Sequence, residues 1–294
     1  MLKASETAPA AIGKTPPIRL RNVAPPNHAE VYLKLEYTNP TGSHKDRMAA
    51  AIIQEAEKRG TLQNGDEIKG YKFQPASSNA FAVEKLKTMA AFGAKVDIVE
   101  SPTGRIMANL IPSMIRRAKE VAGEGNVYST NQFSNRDALV GYAALGHEIV
   151  EQVPEGVDVF CATVGTAGLA MGVSEVLKAA RPETRVVVLE PASTPVNTGG
   201  QAGSHGVEGI GIGFVPPLLD TRLYDEARAV SEDEARAMCR RLAKDEGIFA
   251  GVSTGLNVAT IRSAGEMGAG KRVVTIACDS GLKYLNGDLF STPK

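Results

Sequence analysis

A strand-like run, Val31-Tyr32-Leu33-Lys34-Leu35-Glu36, breaks at Asn39-Pro40-Thr41-Gly42 and resumes as an apolar helical pattern from about Ser43. Proline fixes φ and glycine admits φ > 0, so the break is a turn. Ser43 suits a helix N-cap, which predicts Lys45 in the first helical turn. A cation there opposes the positive end of the helix dipole, so the ammonium form is disfavoured. An amine with a lowered pKa can attack a carbonyl and form a Schiff base. A lone lysine at a helix start is ordinarily a surface residue. The pattern around it decides otherwise.

The same strand-turn-helix grammar runs through the chain. Helices are predicted over 43–59, from Ser77-Ser78-Asn79 through Val83, Leu86 and Met89, and over 104–121, where Ile106, Leu110, Ile111, Met114 and Ile115 share a face. Further helices are predicted after Asn135 to about 152, and over 167–180, 231–246 and 256–265. Strands are predicted over 67–73, 95–99, 157–162, 185–189 and 273–277, with a glycine-rich excursion over 199–214. Strands alternating with helices in this way predict an α/β fold with a mostly parallel sheet and right-handed crossovers.

Composition narrows the function. Lys+Arg and Asp+Glu are equal at 33 each, so no basic field calls for nucleic acid. Cys161, Cys239 and Cys278 form no CxxC pair and no disulfide framework, and the four histidines have no metal-ligand spacing. No metal is expected. The N-terminus has no signal-peptide pattern, and no apolar run approaches a membrane span, so a cytoplasmic protein without membrane contact is expected.

Three further motifs carry chemistry. Thr163-Val164-Gly165-Thr166-Ala167-Gly168-Leu169 joins a predicted strand to a predicted helix, where small residues let backbone amides approach a phosphate. Glu208-Gly209-Ile210-Gly211-Ile212-Gly213 is a glycine-rich wall, and Ala277-Cys278-Asp279-Ser280-Gly281-Leu282-Lys283-Tyr284-Leu285 closes the pattern. Glu246 to Gly255 adds a glycine- and serine-bearing turn.

Together with Ile12-Gly13-Lys14-Thr15-Pro16-Pro17 and the Lys45 nonapeptide, these motifs resemble the cysteine synthase / cystathionine β-synthase family of pyridoxal-phosphate (PLP) enzymes. The resemblance implies the two-domain PLP fold type II. Its small domain would be residues 36–145, and its large domain residues 1–35 and 146–294. It implies that Lys45 binds PLP and is the catalytic base. Gly165, Thr166, Ala167, Gly168 and Leu169 would cradle the phosphate, and Ser280 would hydrogen-bond the pyridine nitrogen. Gln132 and Gly209 would contact the substrate. Ala167 and Leu169 depart from the family's G-T-G-G-T, and Leu169 removes a hydroxyl. His44 is read as a cover for the helix start.

The implied activity is β-replacement or β-elimination on a serine-derived amino acid, such as O-acetylserine with sulfide or a thiol, in a homodimer. Dehydratase and cystathionine β-synthase-like activities use the same residues. The chain ends at Lys294, soon after the last motif, so no regulatory extension is expected. One feature supports a different class, a non-catalytic PLP-binding homologue. Relatives carry a T-S-G-N-T-G loop and a helix where Ile68 here meets Lys69-Gly70, so about twenty residues are absent near 68–70. Ser77-Ser78-Asn79 align one strand later and do not replace them. A rearranged small domain, a deletion and a loop omitted from the sequence all account for the gap.

Overall fold

A computed structural model describes residues 5, 7–24, 29–62, 71–123, 127–263 and 268–291. In chain order its elements are β1 (Pro17–Arg19), β2 (Glu30–Lys34), α1 (Lys45–Lys58), β3 (Ala76–Ser77), α2 (Val83–Ala91), β4 (Asp97–Ile98), α3 (Leu110–Ala122) and α4 (Asp137–Gln152). They continue with β5 (Val159–Thr163), α5 (Gly168–Ala180), β6 (Arg185–Pro191), β7 (Glu226–Val230), α6 (Glu232–Arg241), α7 (Val252–Ser263) and β8 (Arg272–Ile276).

Six strands form one sheet in the order β1-β2-β8-β5-β6-β7, and β3 pairs with β4 in a separate parallel ladder. All neighbours in the large sheet are parallel except β1 and β2. The antiparallel β1 contains Pro17, and a proline, which cannot donate to a ladder, is tolerated at such an edge. Central strands are covered on both faces. In β5, Val159 and Cys161 enter the core shared with Met238, Leu242 and Leu256 of the α6–α7 side, whereas Phe160 and Ala162 enter the core shared with Met48, Tyr142 and Met171 of α1, α4 and α5. This period of two explains why the strand reads as a continuous apolar run.

Several boundaries differ from the sequence expectation. The predicted strand from Val31 ends at Lys34, and Glu36–Thr38 form a 3-10 turn. The helix expected over 104–121 starts at Leu110, which puts Pro112 in the first turn, where its missing N–H costs nothing. The helix expected over 231–246 is α-helical only to Arg241; Leu242–Glu246 widen into a π turn that Gly247 ends at φ +70°. α7 starts four residues before the expected 256. β7 had no sequence signal, because its strand at the sheet edge is half-buried and mixes charge with alanine. Of the predicted strand at 67–73, residues 67–70 lie outside the described residues, and Tyr71 to Phe73 are irregular. Among the described residues, no helix is long and apolar enough to cross a membrane.

Candidate active site

Strands β2, β5 and β8 point their carboxyl ends at one cleft, the position that open parallel sheets reserve for ligands. β5 and β8 pair only at Val159↔Val273 and Phe160↔Val274 and then part. Asn257 of α7 fills the splay: its amide oxygen accepts the Thr163 N–H at 2.9 Å and its Nδ2 donates to the Ile276 carbonyl at 2.8 Å. Thr254 accepts the Cys278 N–H at 3.0 Å. The cleft occupies about 600 Å³, counting its solvent-open part, and Lys45, Thr166, Leu169, Glu208, Ser253 and Asp279 are among its walls.

The nonapeptide folds so that Lys45 leads α1. Gly42, at φ +72°, tightens the turn, and its N–H donates to the Asn39 carbonyl at 2.8 Å. Ser43 Oγ accepts the Lys45 N–H at 3.2 Å, so the serine serves the first turn as expected, although the cap position is His44. Asp46 accepts from the Thr41 N–H at 2.8 Å and from the Thr41 hydroxyl. Beneath lies a buried ionic network. Arg47 donates to Glu36 at 2.7 and 2.9 Å and to Glu148 at 2.8 Å through both terminal nitrogens. Lys34, fully buried, reaches Glu148 at 2.6 Å and Gln152 at 2.9 Å. Fixing two carboxylates on one planar guanidinium sets the rotation of α1 about its axis, and with it the direction of Lys45.

The Lys45 amine lies on the cleft floor, where solvent reaches it although protein surrounds it. Desolvation, and then the Lys85 cation, lower its pKa. A Cβ on Gly209 would lie 3.2 Å from Lys45 Nζ, and Gly209 holds φ +85°, so a glycine there leaves the amine room. A Cβ on Gly165 would lie 2.3 Å from the Gly209 carbonyl oxygen. Backbone therefore packs on backbone behind the amine. Between β5 and α5, Ala167 takes the left-handed conformation at φ 66° and the helix follows at once, so the turn presents amides and a helix N-terminus to the same cleft. Thr166 Oγ1 accepts the Gly168 N–H at 3.3 Å. An amine of lowered pKa beside an anion cup fits an aldehyde that carries a phosphate.

The comparisons agree. The model of the family described as pyridoxal-phosphate dependent enzyme matches residues 9–71 and 65–279. The chain belongs to that family. A cysteine synthase of Staphylococcus aureus is 39% identical over 302 residues, covering 95% of each chain. The crystal structure of a cysteine synthase of Entamoeba histolytica superposes with a TM-score of 0.90 at 29% identity, over 99% of this chain and 92% of that one. That of an O-ureido-L-serine synthase does so with a TM-score of 0.89 at 32% identity, over 98% and 96%. The cofactor of the family is PLP, and the α/β fold is the type II PLP-enzyme fold that the motifs implied.

Lys45, Gly165, Thr166, Ala167, Leu169 and Gly209 line the cleft together, with Gly168 directly behind the cup. Ser280 and Gln132 are not among its walls. Ser280 caps a 3-10 turn, its Oγ accepting the Leu282 N–H at 3.3 Å. Gln132 is half-buried in a loop that Phe133 pins on Phe214, with ring centroids 5.9 Å apart. The hydroxyl-bearing residues that do line the cleft are Thr163, Thr166, Ser253 and Tyr142, the last of them held on His44. Ser253 was legible only as part of the Glu246 to Gly255 turn.

Lys85 of α2 had no sequence signal. Its amine lies 2.9 Å from Glu208, 3.2 Å from Asp279 and 2.8 Å from the Tyr284 hydroxyl. Burial alone would depress this amine, but the Asp279 and Glu208 carboxylates prevail and hold its pKa above the ordinary value. Cys278 also faces the cleft, and burial pushes its thiol up to about 11. Residues 63–70, where the family's substrate loop would begin, lie outside the described residues.

Proposed function

We propose that the protein is a cysteine synthase-like enzyme that replaces the β-substituent of a serine-derived amino acid, such as O-acetylserine, with sulfide or a thiol. The observation that carries this reading is the Lys45 amine, bare on the cleft floor between the Gly209 wall and the 165–169 cup. The names of the relatives, cysteine synthase and O-ureido-L-serine synthase, describe serine-like products with a new atom on the β-carbon.

PLP, when bound, supplies the electron sink that acidifies the substrate's Cα–H and lets the β-substituent leave. Lys45 would hold the aldehyde carbon and would serve as the base that takes the substrate's α-proton on Nζ; its lowered pKa favours the free amine that this role needs. The backbone amides of Gly165, Thr166, Ala167 and Leu169 would hold the phosphate, with Gly168, whose own N–H donates to Thr166 Oγ1, completing the cup from behind.

For the ring nitrogen, Ser253 replaces Ser280 in this proposal. Asp279 is held away from this role by Oδ2, which accepts from Tyr284 at 2.7 Å and pairs with Lys85, while Oδ1 is packed against Gly251 without a hydrogen-bond partner among the described residues. A hydroxyl leaves the ring largely neutral, a moderate sink that favours β-elimination over transamination. Gln132 and Gly209 are proposed for the substrate. The cleft then lies between a small unit, residues 36–145, and a large unit, residues 1–35 and 146–294, of a cytoplasmic homodimer.

An absorbance spectrum of the purified protein tests this. A band typical of lysine-bound PLP is expected, to be lost in Lys45→Ala, and O-acetylserine is expected to shift it. A band that no β-substituted serine moves would refute turnover. It would support the second reading, a PLP-binding homologue, which the missing T-S-G-N-T-G stretch favours.

A further inference from the structure

We propose that His44, steered by Tyr142, is a side-chain anchor for the phosphate of PLP and supplies the hydrogen-bond donor that Leu169 lacks. The inference rests on the cofactor reading above.

His44 stands immediately before α1, with its N–H donating to the Cys278 carbonyl at 2.9 Å, and it lines the cleft together with Thr166, Ala167 and Leu169. Nδ1 lies 2.8 Å from the Tyr142 hydroxyl. Tyr142 has no freedom to swing. It is fully buried on α4, and its ring lies on the first turn of α5: a Cβ on Gly168 would stand 3.3 Å from the ring and one on Gly172 2.7 Å from the tyrosine Cβ.

The proton positions follow from the partners. The groups that act on His44 are Lys45, Lys283, Arg47 and Lys85, all cations. Burial, and then Lys45, hold the imidazole pKa well below its ordinary value, and burial holds the Tyr142 phenol well above its own. The imidazole is therefore neutral and the phenol protonated. Tyr142 has no other acceptor among the described residues, so its hydroxyl donates to Nδ1. A neutral ring that accepts at Nδ1 carries its proton on Nε2. Nε2 has no partner among the described residues and belongs to a residue that shares the cleft wall with the cup. A neutral N–H donor beside a helix N-terminus suits a phosphate dianion. Leu169, which replaces a threonine hydroxyl of the family pattern, leaves that donor position empty at the start of α5.

The test compares PLP with pyridoxal, which lacks the phosphate, in titrations of cofactor-free protein. In His44→Phe, PLP affinity is expected to fall roughly tenfold, the range for one hydrogen bond to a charged group, while pyridoxal affinity stays within about twofold. His44→Gln keeps a donor and is expected to retain most of the affinity. Leu169→Thr in the His44→Phe background is expected to restore it, and the ³¹P resonance of bound PLP is expected to move in His44→Phe. An equal loss for PLP and pyridoxal, no loss at all, or no rescue by Leu169→Thr would overturn the anchor while leaving the PLP reading intact. No lysine-bound PLP in the unmodified protein would overturn both.

Discussion

The network beneath Lys45 makes a quantitative demand on stability. Glu148 joins Arg47 and Lys34, and its side chain is 17% exposed. Burial would raise its pKa, but the Arg47 and Lys34 hydrogen bonds prevail and hold the carboxyl at about 2, against 4.5 in the free chain. At about 1.36 kcal/mol per unit, that depression is worth about 3 kcal/mol. A depressed carboxyl stabilises fully above its unfolded value and loses its effect as the pH falls through the folded one, so the window here runs from 4.5 down to about 2. Glu148→Gln is therefore expected to cost about 3 kcal/mol at pH 7 in urea unfolding and about 2 kcal/mol at pH 3.5, the two proteins converging with acid. A cost under about 1 kcal/mol at pH 7, or a gap that does not narrow in acid, would show that the network is screened by solvent and adds little.

Other perturbations have equally definite outcomes. Asn257→Ala leaves the Thr163 N–H and the Ile276 carbonyl unpaired in the sheet and is expected to cost about 3 kcal/mol in urea unfolding; a loss under about 1 kcal/mol would mean that the splayed strands close without it. Lys85→Met removes the cation that repels the Lys45 ammonium, so the pH midpoint of Lys45 labelling, read by mass spectrometry, is expected to rise. An unmoved midpoint would refute that repulsion. The three buried thiols have pKa values pushed up to about 11 or about 12, so a disulfide reagent at pH 8 is expected to leave them unmodified in the native protein and to react with all three in urea.

What could be read from the sequence was local. The Lys45 nonapeptide and the 163–169 turn announce themselves because turn chemistry, helix capping and small residues act over a few neighbours. Ser43 and Gly42 perform the roles their types suggest. Ser280 and Ser253 illustrate the limit. Each lies within two residues of a glycine, Gly281 for Ser280 and Gly251 for Ser253, and only the splay of β5 from β8 decides which hydroxyl reaches the cleft. Lys85 is equally invisible, because its importance lies in two carboxylates more than 120 residues away in the chain. The edge strand β7 escaped for want of apolar alternation, and the start of α7 because its first turn, buried throughout, has no exposed face to set against an apolar one.

The splay that Asn257 fills separates two properties that most sheets tie together. The amides at the ends of β5 and β8 are satisfied by side chains of α7, not by a neighbouring strand. Thr163 and Cys278 can therefore change in size or polarity without unpairing a strand. The scaffold keeps its ladder when the face it shows to a bound molecule changes, so the cost of an exchange at those two buried positions falls on packing and not on strand pairing.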